Sequence, residues 1–229
     1  MRTFRKIFLL VSVFLFSGWS APLPKLFVIG DSISIQYGPY LEKYIKDFAI
    51  YERKQDDGSG NNNLDYPTGA NGGDSKMVLA YLRHQLNDEN FKPDYLLLNC
   101  GLHDIKRNPV SREIQVAKEA YKENLETIYQ LLKKKNIKLI WIRTTPVVDS
   151  IHNVKSRSFY RFAADVETYN QIADEFCAKN NIAVIDLYHF TKQLGEGQYT
   201  DHVHYKEPAR ALQAAFIAGA VRTIIKTEK

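Results

Sequence analysis

Lys25-Leu26-Phe27-Val28-Ile29-Gly30-Asp31-Ser32 is a short apolar run that stops at a glycine and delivers a serine. An uninterrupted apolar run of this length reads as a strand covered on both faces. The glycine after it marks a turn, and Asp-Ser beyond the turn suits the start of a helix. A serine placed where a buried strand turns into a helix is where α/β enzymes expose a nucleophile. On its own, Gly-Asp-Ser is weak, because most such tripeptides only start helices.

The rest of the chain repeats the same grammar. Further apolar runs lie at Phe48–Tyr51, Tyr95–Asn99, Lys138–Ile142 and Ala183–Leu187. Between them, Ser75–Leu86, Arg112–Lys135 and Val166–Lys179 carry apolar residues at helical spacing, as does the alanine-rich tail Glu207–Ile225. Strands alternating with helices imply a parallel sheet covered on both sides. Right-handed crossovers bring the carboxyl ends of all strands to one edge, where the crevice of such sheets lies. Ser32 and the segment Cys100-Gly101-Leu102-His103-Asp104 therefore converge. Trp141, inside an apolar run, is read as core. The stretch Arg53–Gly73, rich in Asn, Gly and Asp, is either a functional loop or a surface insertion.

Residues 1–20 have the pattern of an export signal. Arg2, Arg5 and Lys6 precede the apolar stretch Ile7–Phe16, and Gly18-Trp19-Ser20 offers small residues before Ala21. The apolar stretch is short for a membrane span, which needs about 20 residues. The expectation is a protein exported to the periplasm or beyond the cell, with residues 21–229 as one domain and no stable membrane insertion after cleavage. Losing those three cations and no acidic residue lowers the formal charge from +5 to +2. That balance gives no support to a nucleic-acid partner. Of the two cysteines, Cys100 ends an apolar run and Cys177 lies on a helical face, which favours buried free thiols over a disulfide.

Serine becomes a useful nucleophile when a base takes its proton and a third group orients the base. Asp201-His202-Val203-His204 supplies both near the other end of the chain. With Ser32 as nucleophile, His204 is the candidate base and Asp201 its orienting carboxylate. His202 competes for the role, but its side chain is expected to point away from its neighbour. Asp201, His202 and His204 also make a weak alternative metal cluster, and Asp201 alone could simply cap the last helix. The mechanism calls for no cofactor and no metal.

In this order and spacing, the blocks resemble the SGNH hydrolase family, also called GDSL esterases. The first block matches Gly30-Asp31-Ser32-Ile33, with Ile in place of Leu. The last matches Asp201-His202-Val203-His204. The resemblance implies an α/β fold, a three-layer flavodoxin-like sandwich with a central parallel sheet of about five strands. It implies a Ser32–His204–Asp201 triad and an oxyanion hole built from Ser32, Gly73 and His103. Gly73 is taken from Asn71-Gly72-Gly73-Asp74, with Gly72 as the alternative register. The third block departs from the pattern: Gly101-Leu102-His103-Asp104 carries His103 where the family has asparagine. Either His103 replaces the amide as donor, or the site has lost one. Asp31 and Asp104 are expected to hold local turns. The rate should rise as His204 deprotonates, with a second coupled step if His103 titrates nearby.

The family spans acetyl-carbohydrate esterases, lipases, lysophospholipases and thioesterases. With the export signal, it implies an exported esterase removing short acyl groups, acetyl above all, from carbohydrate. A lysophospholipase or short-chain lipase is the alternative, and a non-catalytic glycan-binding module on the same scaffold is another. Tyr66 is a candidate sugar platform. Arg157 and Arg161, with His152 and Lys155, are candidates for an anionic sugar, although a solvated basic face is the favoured reading of them.

Overall fold

The computed structural model describes residues 22–55, 58–156 and 158–227. The export segment and Arg157 lie outside the described residues. Five strands, β1 (Lys25–Ile29), β2 (Ile50–Arg53), β3 (Tyr95–Leu98), β4 (Lys138–Ile142) and β5 (Ala183–Ile185), form one sheet in the order β2-β1-β3-β4-β5. All four pairings are parallel, with Val28 opposite Arg53 and Leu97, Leu98 opposite Trp141, and Ile142 opposite Ile185.

Continuous apolar strands require cover on both faces, and the helices provide it. Among the described residues, the α-helices are α1 (Ser32–Ile45), α2 (Ser75–Gln85), α3 (Lys118–Lys134), α4 (Asp149–Lys155), α5 (Ala163–Asn180), α6 (Leu187–Gln193) and α7 (Glu207–Thr227). One layer is built on α1 packed against α7, with α6 beside α7; the other runs α2, α3, α5. Leu26, Val28, Leu96, Leu97, Leu98 and Trp141 are wholly buried between them. Each such side chain contributes about 1.5–3 kcal/mol through burial. The structure is the expected three-layer sandwich with its five-stranded parallel sheet.

Strand β1 has its sequence successor β2 on one side and β3 on the other, so the strand order reverses between β1 and β3. Ligand crevices open at such switch points, outside the carboxyl ends of the strands. The segments following β1 and β3 are those that carry Ser32 and His103.

Three expectations are corrected. The helix anticipated from Arg112 begins only at Lys118. Arg112 is left-handed (φ 63°), and the N–H groups of Gln115 and Val116 donate to the carbonyls of Lys106 (2.7 Å) and Asp104 (3.0 Å). Tertiary hydrogen bonds thus take the backbone that a helix would use. The last apolar run also splits: β5 ends at Ile185, and Asp186 caps α6 by accepting from the His189 N–H. In the second run, β2 begins two residues later than the apolar stretch, because Phe48 packs on the core from the turn.

Cys100 and Cys177 are unpaired and buried. Among the described residues, no helix is long and apolar enough to cross a membrane.

Candidate active site

Ser32 is the first residue of α1, immediately beyond β1. Asp31 caps the helix, its Oδ1 accepting from the Ile33 N–H at 2.9 Å. Burial pushes the Asp31 carboxyl up, opposed by that hydrogen bond and by the charge of Arg161. The Ser32 N–H belongs to the first turn, where backbone donors have no partner within the helix.

Ser32 Oγ lies 2.9 Å from His204 Nε2, and His204 Nδ1 lies 2.7 Å from Asp201 Oδ2. All three sit on loops or helix starts at the carboxyl edge of the sheet. Asp201 is fixed by its own backbone: Oδ1 accepts from the N–H groups of His202 (2.5 Å), Val203 (2.8 Å) and His204 (2.9 Å). Desolvation pushes this carboxyl up, but the bonds from His204 and from the backbone outweigh it and hold it well below the usual carboxylate range. A carboxylate accepting at Nδ1–H fixes the tautomer in which Nε2 is the free base.

His202 takes no part in this chain. Its Nδ1 is 3.9 Å from Asp201 Oδ1, and its ring packs edge-on against His152, with centroids 4.1 Å apart. Among the described residues, no group of three or more His, Cys, Asp or Glu side chains is placed to hold a metal ion.

Gly73 has φ 73°, a conformation that favours glycine. A Cβ there would stand 2.6 Å from Met77 Sδ and 2.9 Å from Pro67 Cβ. Its N–H donates to Asn71 Oδ1 at 3.0 Å, and the Gly72 N–H donates to the Gly30 carbonyl at 2.8 Å. Both glycines of the doublet therefore have internal acceptors, and a substrate oxygen would have to share the Gly73 donor with Asn71.

His103 is 1% exposed. Burial, followed by the charges of Lys106 and Arg161, holds it well below the usual histidine range, so the ring is neutral. Its Nδ1 is sealed off without a partner, while the residue lines the main cleft. A buried N–H without an acceptor is costlier than a bare ring nitrogen. Nε2 is the ring nitrogen that is not sealed in this way, and a proton there would make His103 a donor to the cleft.

Asp104 anchors the neighbouring helix by accepting from the Ser75 N–H at 2.9 Å. Desolvation pushes its carboxyl up to about 7. Gly101 lets the chain pass close to β4, since a Cβ there would lie 2.3 Å from Thr144 Oγ1.

A cleft of about 840 Å³ opens beside the triad, within the range of small-ligand sites. His103 and Asp201 form part of its wall, whereas Ser32 and His204 are buried next to it. The long loop after β2 contributes Asp65, Tyr66 and Pro67, so that stretch helps build the cleft. Tyr66 is 60% exposed on it.

Arg161 is not available to a ligand in the way its sequence position implied. It is 2% exposed, donates from Nε to the Leu102 carbonyl at 2.8 Å, and sets Nη1 3.5 Å from Asp65 Oδ1. It braces the His103 turn from behind. His152 is likewise buried, and desolvation lowers it to about 3. Of these cations, Lys155 lines the cleft. Sequence reasoning missed Lys106, Asp65 and Phe159. The spacing of Lys106 three residues beyond His103, in the loop after β3, was the available signal.

A hydrogen-bonded serine, histidine and aspartate thus stand together at the switch point of a parallel α/β sheet. The sequence profile of the GDSL-like lipase/acylhydrolase family matches residues 28–209, and the chain belongs to that family. Comparison with curated protein sequences gives no match. Solved structures share the fold. A lipase/acylhydrolase from Enterococcus faecalis is 21% identical with a TM-score of 0.62, covering 88% of this chain and 96% of that one. A GDSL-like lipase from Bacteroides thetaiotaomicron is 15% identical with a TM-score of 0.62, covering 90% and 89%. An acetyl xylan esterase, AlAXEase, is 18% identical with a TM-score of 0.60, covering 88% and 99%.

Proposed function

We propose that this protein is an exported serine esterase that removes short acyl groups, acetyl above all, from carbohydrate. The observation that carries the catalytic part is the hydrogen-bonded run from Ser32 Oγ through His204 to Asp201. His204 Nε2 takes the proton of Ser32 as Oγ attacks the ester carbonyl. The tetrahedral intermediate places negative charge on the former carbonyl oxygen. The Ser32 N–H and His103 Nε2–H receive it, with Gly73 N–H joining by sharing its bond to Asn71. His204 then gives its proton to the leaving alcohol, and water, activated by the same ring, releases the acid from Ser32. Asp201 stabilises the imidazolium in both halves.

The carbohydrate preference rests on the cleft. Asn63, Asn108, Gln115, Ser156 and Ser158 face it with hydrogen-bonding groups, and Tyr66 offers an exposed ring. Such walls suit a hydroxyl-rich leaving group. The fold shared with an acetyl xylan esterase agrees with this choice, although lipases share it too. The intact hydrogen-bond run speaks against the non-catalytic binding module. Export rests on the pattern of residues 1–20.

Acetate release from a panel of acetylated sugars and polysaccharides, by wild type and Ser32→Ala, tests the reading. Release that depends on Ser32 supports it. Preference for longer acyl esters or lysophospholipids over every acetylated sugar would overturn the carbohydrate assignment.

A further inference from the structure

Lys106 is a mostly buried ammonium in the wall of the cleft, 9% exposed. Its N–H donates to the His103 carbonyl at 3.3 Å, so the two residues share one turn and both line the cleft. Nζ donates to the Asp65 carbonyl at 2.7 Å and stands 4.3 Å from the centre of the Phe159 ring. No carboxylate lies within ion-pair distance of Nζ among the described residues, and desolvation, its largest influence, lowers the ammonium to about 8. An ammonium has three donors. The carbonyl takes one, and the ring face engages the charge without accepting a conventional hydrogen bond.

The other charges of the cleft are accounted for. Arg107 is spent on Asp165, with two bonds of 2.7 and 2.8 Å. Asp65 turns its carboxylate to Arg161, and Asp201 turns its own to His204 and the backbone. Glu113 accepts from Ser111 at the exposed rim, where Lys155 also lies. The deep wall thus holds one cation without a carboxylate in direct contact among the described residues, the charges of Asp65, Asp74 and Asp31 reaching it only from a distance, and a buried charge left without a contacting partner is costly.

We infer that Lys106 binds a carboxylate on the sugar that carries the ester, so that the preferred substrates are acylated uronates. This rests on the esterase reading for the reaction and names the substrate class of the same cleft. A carboxylate is matched to the site because it accepts the two remaining N–H groups and cancels the charge. The ester is then presented beside His103, one turn away. Lys106 is a specificity residue that touches the leaving alcohol, and it takes no part in proton transfer.

The test compares kcat/KM for two methyl glycosides acetylated at the same hydroxyl, one a galacturonate and one a galactose. Wild type should prefer the acidic ester by roughly ten- to hundredfold, the value of a charge-assisted hydrogen bond. In Lys106→Gln the ratio should fall towards one. Equal rates on the two esters in wild type, or a preference that survives Lys106→Gln, overturns the inference. So does faster hydrolysis of a lysophospholipid than of either sugar, which would make the anion a phosphate. Free galacturonate and galactose are also compared by thermal shift on wild type and Ser32→Ala, which needs neither turnover nor a folded Lys106 variant. A larger rise in Tm with galacturonate supports the subsite. If galacturonate binds but neither ester is cleaved, the esterase reading fails and the subsite stands. If both sugars bind alike while both esters are cleaved, the subsite alone fails.

Discussion

Replacing His103 by alanine removes the side chain that stands where the family has its asparagine. The residue is buried, held well below the usual histidine range, sealed at Nδ1, and part of the cleft wall. Losing one oxyanion donor costs about 2.7–4 kcal/mol of transition-state stabilisation, or roughly 10²–10³ in kcat. The fold should lose far less. The ring leaves a cavity, but its removal also relieves a buried nitrogen that has no partner, so the two effects oppose one another. Hydrolysis of p-nitrophenyl acetate should therefore fall by two to three orders of magnitude, while Tm drops by only a few degrees, roughly 2–4 °C per kcal/mol at this size. His103→Asn keeps a donor and should stay within about tenfold of wild type, less than the loss of a donor. If the alanine variant keeps kcat/KM within about threefold of wild type, His103 donates nothing to the intermediate and the reasoning from the sealed Nδ1 is wrong.

Other consequences follow from the same geometry. Asp201→Asn presents an amide N–H to His204 Nδ1 and forces the wrong tautomer, so kcat should fall by about 10³–10⁴ with the loop otherwise intact. Steady-state kinetics with a circular-dichroism melt separates this from unfolding, and a loss under tenfold would refute it. Because burial holds His103 well below the usual histidine range, its protonation should add no step of its own to the pH–rate profile near neutrality. Two acid-side steps in wild type that merge into one in His103→Asn would restore the coupling that the sequence suggested. Asp104 has its carboxyl raised in the fold to about 7, so the folded state holds its proton after the unfolded chain has released it. Stability from this group is therefore present at low pH and is lost as pH rises from about 4 to 7, by a few kcal/mol at most. Asp104→Asn can still accept from Ser75, and urea titrations should show it gaining on wild type between pH 5 and 8; a constant difference would contradict this. Gly73→Ala combines a left-handed φ with a Cβ 2.6 Å from Met77 Sδ, and should cost about 1–3 kcal/mol in Tm-derived stability.

The parts of the fold that announced themselves are those whose physics is local. The strands β1, β3 and β4 are apolar throughout because they are covered on both faces, and that pattern is visible without any partner. That Ser32, Asp201 and His204 come together was legible for a different reason: few arrangements can make a serine reactive, and their residue types stand in the order such a site calls for. What stayed hidden depends on contacts across the chain. Residues 112–117 carry apolar positions at helical spacing, yet their backbone bonds go to the loop at 104–108. Arg161 looked like a surface cation, but Leu102 and Asp65, far away in sequence, draw it inside. Lys106 is an ordinary lysine in the sequence, and only the cleft shows that it is buried with no carboxylate in direct contact among the described residues. The Gly72-Gly73 ambiguity also needed coordinates, which show both N–H groups engaged and only Gly73 left-handed.

The claim on which everything rests is that Ser32 is an activated nucleophile. Incubating the protein with a fluorophosphonate and mapping the adduct by peptide mass spectrometry tests it directly. The account predicts one stoichiometric phosphonyl adduct on Ser32, formed with loss of esterase activity and strongly slowed in Asp201→Asn. No adduct on Ser32, or esterase activity that persists after Ser32 is fully labelled, would contradict it.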